Sequence, residues 1–289
     1  MAGPNSSEQV NKTYLGEGQY IGKVVGSRRC CDLFLAEVQH TCAKKNCEHS
    51  HELAFFSVLL DGSYTERQGN KLIDYKQLGV VYRQPWLVHS DQIGNAGVRL
   101  FNVELKQSWM ERANQYGRIR DLSPNPHRGE LAWLAARLYR EFRDQDLCSS
   151  LAIEGLVLEM LSVLFRGSST TDKQVPIWLS KVNDILHAEF RDNISASRIA
   201  EEVGVHPFYL SKMFRKFNNQ TIAEYVQNLR VEYASREMLK PDADLATVAL
   251  SSGFADQSHL TRIFKRVTGM TPGAFRATFI QSRFLRPWS

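Results

Sequence analysis

No stretch of the 289-residue chain approaches the roughly 20 apolar residues of a membrane-spanning helix. The opening Met1-Ala-Gly-Pro-Asn-Ser-Ser-Glu8 has no apolar core of the kind a secretory signal carries. Cysteine is scarce: five residues, an odd number, in a chain long enough to bury a real core. That argues against a disulfide framework. A reducing cytoplasm, with no membrane partner, is the expected compartment. Charge of neither sign dominates. The formal net charge of +5 is too small for a protein that coats polyanions. Residues 175–289 carry 15 Lys plus Arg against 11 Asp plus Glu, so four of the five excess charges lie there. A modest basic excess is what a phosphate-contacting domain needs.

That same C-terminal stretch contains an internal repeat, which has to be read before anything else. Ala200 corresponds to Ala249, Gly204 to Gly253, Phe214 to Phe264 and, after a one-residue insertion, Tyr225 to Phe275. Each copy reads as a short helix, a tight turn at glycine and a second helix with Lys or Arg outward. This is a helix-turn-helix pattern, the commonest way to place a helix in the major groove of DNA. Ser195 is placed to cap the first helix, with Ile194 and Ile199 as a hydrophobic staple. His206-Pro207 is an entry to the second. Leu210, Met213, Phe214 and Phe217 form one buried stripe, and Leu260, Ile263, Phe264 and Val267 form its counterpart. Phe208, Ser211, Lys212 and Arg215 remain outside in the first copy. Gln257, Ser258, His259, Thr261, Arg262 and Lys265 remain outside in the second. The plain alternative is a helical bundle with solvated charges.

Residues 177–277 resemble the DNA-binding domain of the AraC/XylS family of bacterial transcription regulators. The carriers are Ile199-Ala200-Glu-Glu-Val-Gly-Val, Tyr209-Leu-Ser-Lys-Met-Phe-Arg-Lys, Val248-Ala249, Gly253-Phe254, Gln257-Ser258-His259, Arg262-Ile-Phe-Lys and Thr268-Gly-Met-Thr-Pro-Gly-Ala-Phe-Arg276. Leu260 departs from the aromatic residue that the family often has. The resemblance implies an all-α domain of two three-helix subdomains, joined by a long helix over about Ile222–Leu239. It implies two recognition helices in successive major grooves. Carried over residue by residue, the base-contacting candidates are Phe208, Ser211, Lys212, Gln257, Ser258, His259, Thr261 and Arg262, with Arg215 a further DNA-binding residue. Lys216, Lys265 and Arg266 are expected to meet phosphates.

The polar segment Gly167–Gln174, ending at Pro176, reads as a linker over 167–176. Residues 1–19 are expected to be loose and 278–289 to be a tail. Between them, residues 20–166 read differently. About 20–106 alternate in short runs such as Asp32–Val38, Leu53–Leu60, Leu78–Tyr82 and Val98–Leu105, and Asp61-Gly62 is a hairpin signal. A small barrel or sandwich is expected, giving an α+β chain of two domains. His49-Ser-His51, Gly62 and Gly79-x5-Pro85-x3-His89 resemble the two motifs of a cupin barrel. The resemblance implies that His49, His51 and His89 share a site. The glutamate of metal-binding cupins is missing, since Phe55 stands in its place and Glu52 is out of register. A divalent metal on three histidines, an organic effector, or simple hydrogen bonding all remain open. Cys42 and Cys47, flanking two lysines, are candidate redox or metal thiols, against the plain reading of small buried groups.

Two apolar stripes follow. One is Leu131, Leu134, Ala135, Leu138 and Phe142. The other is Leu156, Val157, Met160, Leu161, Leu164 and Phe165, beyond a turn at Asp144-Gln-Asp146. Two stripes over one barrel leave a face for a homodimer, the plain alternative being that both simply pack on the barrel. The reading is a transcription regulator, not an enzyme, that binds double-stranded promoter DNA. A small-molecule effector in the barrel controls it, and RNA polymerase is a further partner. A cupin-type metalloenzyme fused to a DNA-binding module, and a constitutive DNA-binding dimer, are the alternatives.

Overall fold

Alternating apolar residues make the first half of the chain a set of strands, here described in a computed structural model. It describes residues 13–116, 129–168 and 176–280, so most of the expected linker, residues 1–12 and residues 281–289 lie outside the described residues. Contacts divide the chain between Ser168 and Ser169 into two compact units. The first contains β1 (Thr13–Leu15), β2 (Lys23–Cys30), β3 (Leu33–His40), β4 (Lys44–Lys45), β5 (His49–His51), β6 (Ala54–Gln68), β7 (Lys71–Tyr75), β8 (Val80–Arg83) and β9 (Ser90–Leu105). Helices α1 (Gln107–Asn114), α2 (Gly129–Asp144) and α3 (Ser149–Ser168) follow.

The strands do not close into the expected barrel. Hydrogen bonding runs β2-β3-β9-β6-β7, with β4 attached to β9 and β8 to β6, and the path does not return on itself among the described residues. β6 and β9 are long enough to serve several partners each, and β1 pairs with β5 in a separate parallel pair. That pairing also orders Thr13–Leu15, within the segment expected to be loose. The expected hairpin at Asp61-Gly62 is instead a bulge inside β6, with register shifts against β9 on both sides. Gly62 has φ +94°, and a Cβ there would stand 2.2 Å from the Gly97 carbonyl oxygen. Glycine therefore serves a close backbone approach rather than a chain reversal. The β2–β3 reversal falls at Cys31 and Asp32, both with left-handed backbone, at φ 53° and 56°. Two such residues make the turn whose twist matches the flanking strands.

Leu131, Leu134, Ala135, Leu138 and Phe142 of α2 are buried, as are Leu156, Val157, Met160, Leu161 and Leu164 of α3. Phe101 of β9 packs its ring against Tyr139 and Phe142. A buried polar knot fixes α2 to the sheet. Arg99 Nε donates to Glu37 Oε1 at 3.0 Å, and the Tyr139 hydroxyl donates to Glu37 Oε2 at 2.9 Å. A carboxylate taken out of water is tolerated only when paired and hydrogen-bonded in this way.

The second unit is all helix: α4 (Ile177–Glu189), α5 (Ala196–Glu202), α6 (Pro207–Asn218), α7 (Ile222–Met238), α8 (Leu245–Ser251), α9 (Gln257–Thr268) and α10 (Pro272–Ile280). Leu179, Val182, Leu186, Ile199, Leu210, Phe214 and Val226 form one core over α4 to α7. Past it, α7 packs on α8, α9 and α10. No helix among the described residues is long and apolar enough to cross a membrane.

Candidate nucleic-acid interface and buried histidine cluster

The repeat is present in three dimensions. α5 and α8 have seven residues each, and α6 and α9 have twelve each. Every one of these four helices has a side-chain cap, which satisfies an N–H that helix geometry leaves unpaired. Ser195 accepts from Arg198 N–H, His206 from Phe208 N–H, Asp244 from Thr247 N–H and Asp256 from His259 N–H. Gly204 and Gly253 make the turns with φ +70° and +82°. Phe214 meets Tyr225 edge-on at 5.4 Å, and Phe264 meets Phe275 at 5.3 Å.

With the apolar stripes inward, the outer faces are polar. On α6, Phe208 is 72% exposed, and Ser211, Lys212, Arg215 and Lys216 are exposed. On α9, Gln257, Ser258, Arg262, Lys265 and Arg266 are exposed. His259 and Thr261 differ from the rest. His259 is half-buried, its ring 5.5 Å from that of Phe254 and its Nδ1 accepting Ala255 N–H at 3.5 Å. The Thr261 hydroxyl donates to the Gln257 carbonyl at 2.8 Å. Both spend polar capacity inside the motif. Arg266 Nη2 donates to Gln227 of α7.

In the first unit the structure brings His49, His51 and His89 together. One ligating nitrogen from each lies within 4.8 Å of the others, and all three residues are buried. The His49 and His89 backbones exchange two hydrogen bonds, of 2.8 and 3.0 Å, so strand pairing sets the two rings side by side. His49 Nδ1 donates to the Cys47 carbonyl and His89 Nδ1 to the Leu87 carbonyl, each at 3.0 Å. Burial pushes the His51 imidazole down to about 2, with His89, His49 and Arg83 adding to it. Burial, then Arg83 and His49, does the same to His89. Both rings are therefore neutral over any physiological pH.

Asp91 joins them, a residue that the sequence reading missed. It accepts the Tyr64 hydroxyl at 2.6 Å and Asn46 Nδ2 at 3.3 Å. Burial is the largest of several effects that hold Tyr64 protonated. The signal was present, since His89-x-Asp91 puts both side chains on one face of an extended chain. Behind them Arg83 is ion-paired with Glu66, and the Tyr75 hydroxyl donates to Glu66 Oε2 at 2.6 Å. The Phe55 ring lies 4.6 Å from that of His51. Cys42 and Cys47 are exposed, and their thiols stand outside the histidine group. Neither is the small buried hydrophobe of the plain reading.

The described helices match known proteins. The helix-turn-helix domain family matches residues 199–278. A probable transcription factor, PqrA of Proteus vulgaris, is 33% identical over 100 residues, 33% of this chain and 82% of that protein. A putative AraC-like transcription regulator of Streptomyces antibioticus is 29% identical over 160 residues, 52% of this chain and 53% of that one. Among solved structures, ToxT of Vibrio cholerae aligns over 86% of this chain and 98% of its own, at 11% identity and TM-score 0.36. The chain belongs to the AraC family of helix-turn-helix transcription regulators. It spans about half the length of the first curated relatives it matches.

Proposed function

We propose that the helical unit binds double-stranded promoter DNA through α6 and α9, and that the buried site of the first unit controls it. The observation that carries this is the duplication itself. Two capped twelve-residue helices each bury an apolar stripe and turn a polar, basic face outward. Ser211, Lys212, Arg215, Gln257, Ser258 and Arg262 reach base edges, and Phe208 contacts an apolar base surface. His259 and Thr261 serve mainly to hold the α9 entry. Lys216, Lys265 and Arg266 meet phosphates, as cations on an exposed face do. The protein acts as a regulator in the cytoplasm, not as an enzyme.

Leu151 and Leu158 lie seven apart on one face of α3, with Leu151 75% exposed. The α2 and α3 stripes expected to leave a dimer face are almost wholly buried within the first unit, so two copies pair through this exposed face instead. RNA polymerase is the expected partner at the promoter. The deciding experiment is footprinting on a selected operator. Protection over two adjacent major grooves, about 10 bp apart on one DNA face, is expected. Protection of a single groove contradicts the tandem reading.

A further inference from the structure

We propose that Cys30 and Cys31, at the β2–β3 turn, form a dithiol site that captures a thiophilic trivalent arsenic centre carrying a small organic group. The site shares no residue with the histidine cluster, and its chemistry does not depend on the regulator reading.

The backbone brings the two sulfurs together. Adjacent side chains on an extended chain point to opposite faces. Cys30 is the last residue of β2, and Cys31 turns into the left-handed region at φ 53°. The alternation breaks there, and the two thiols lie within hydrogen-bonding reach of one another. Cys31 is exposed and Cys30 half-buried, so solvent reaches the pair. A left-handed backbone is costly for any residue with a Cβ, and Asn, Asp and Gly are what such a turn ordinarily carries. Cysteine at this position gives up turn stability and sets a second sulfur beside the first.

Reach and protonation choose the electrophile. A direct disulfide is poorly matched, because adjacent Cα atoms stand about 3.8 Å apart, closer than the roughly 4.4–6.8 Å that disulfides span. Burial first, and then the neighbouring Cys31, hold the Cys30 thiol above the usual cysteine range. It keeps its proton at neutral pH, whereas redox-sensor cysteines are low-pKa thiolates. Zinc asks for four ligands, and among the described residues these two sulfurs belong to no group of three ligating atoms. Trivalent arsenic with one bond to carbon needs two sulfurs and no more. It also separates sulfurs that stand too close for an unstrained disulfide. The exchange balances without an oxidant. Two As–O bonds of the dihydroxy form break and two As–S bonds form. Each thiol proton leaves with a hydroxide as water, and arsenic stays trivalent.

The organic group has a place to go. A cavity of about 260 Å³ opens beside Cys31, lined by Asp32, Ser108, Trp109, Arg112 and Glu154. A cavity of about 150 Å³ is enough to hold benzene. Trp109 Nε1 donates to the Cys31 carbonyl at 2.6 Å, so the turn is held to α1 by its backbone and not by its thiols. The Cys31 thiol, a weak donor, makes a long bond of 3.6 Å to the Ser150 carbonyl. Capture removes that proton, and with it one tie between the turn and the start of α3.

The test uses the full chain, reduced with a phosphine and titrated with phenylarsine oxide. One equivalent is expected by intact-protein mass spectrometry, and two of the five thiols should stop reacting with a chromogenic disulfide. A small dithiol should release the arsenical, and a monothiol at the same concentration should not. Cys30→Ser should weaken capture by at least about 100-fold, because the second sulfur no longer binds intramolecularly. Cys31→Asn should do the same while keeping a residue that tolerates the left-handed turn. Circular dichroism checks that both variants fold. Cys148→Ser, and Cys42→Ser with Cys47→Ser, should leave the affinity unchanged. Wild-type protein that keeps all its thiols reactive overturns the proposal. So does a folded Cys30 or Cys31 variant that binds as tightly as the wild type. Capture lost on replacing Cys148, or Cys42 with Cys47, also overturns it and moves the dithiol elsewhere.

Discussion

The carbonyl oxygen of Arg191 occupies the place where a side chain on Gly253 would begin, 2.4 Å from an ideal Cβ. Its repeat partner, Gly204, has open space around it. Both backbones are left-handed, which costs any other residue about 1–2 kcal/mol. Gly204→Ala is expected to cost about that much. Gly253→Ala must also displace a backbone carbonyl and should cost at least ~1 kcal/mol more. Urea unfolding of the two variants measures the difference. Equal losses would show that the close approach carries no weight.

Arg262 is exposed in the middle of α9, on the face opposite the buried Leu260, Ile263 and Phe264. Arg262→Ala should reduce specific operator affinity by about 1–3 kcal/mol, roughly 5- to 150-fold, while relaxing preference at one base pair. Competition binding with operators randomised at single positions reads both effects. A uniform loss over all sequences would move Arg262 to the phosphate group.

Lys216, Lys265 and Arg266 are assigned to phosphates. Replacing one of them by Ala should weaken specific and non-specific DNA alike. It should also lower the slope of log affinity against log salt by about 0.9. Binding isotherms at four or five salt concentrations suffice. A variant that changes base preference instead contradicts the assignment.

The α8 cap carries a pH signature. Asp244 accepts the Thr247 N–H at 2.8 Å and the Thr247 hydroxyl at 2.9 Å. These bonds, the N–H first, hold its carboxyl below the usual aspartate value. A depressed folded pKa stabilises fully above the unfolded value, near 4, and the effect is lost as pH falls through the folded one. Asn caps about as well as Asp but carries no charge. The wild type should therefore melt above Asp244→Asn at pH 6, and the gap should close as pH falls below about 4. A gap that stays constant into acid would assign the cap no ionic part.

What was legible follows from what is local. Ser195, Pro207 and the apolar stripes act within a turn or two of helix, so spacing alone displays them. The helix expected over Ile222–Leu239 is α7, Ile222–Met238, with Leu239 as its cap. The convergence of His49, His51 and His89 was legible through motif resemblance, and the strand pairing of His49 with His89 gives its physical basis. Barrel closure was not legible, because it depends on hydrogen bonds between strands far apart in sequence. Gly62 misled for a related reason. A positive φ fits a bulge and a hairpin equally, and only the Gly97 carbonyl decides between them. Asp91 went unseen because the motif directed attention to Phe55, where a carboxylate is missing, rather than to the position two residues past His89.

One helix serves both halves of the second unit. Val226 lies in the core built on α4 to α6, while Val231, Ala234 and Met238 are fully buried further along α7. From the same helix Arg230 donates to the carbonyls of Phe190 and Asp192, at 2.6 and 2.7 Å, just past the end of α4. Neither repeat therefore owns a complete interior. Residues 176–280 should melt in a single cooperative transition, and a chain cut after α7 should not leave a folded half behind. The duplicated motif is a pair in sequence but one indivisible folding unit, so damage to either copy disarms both.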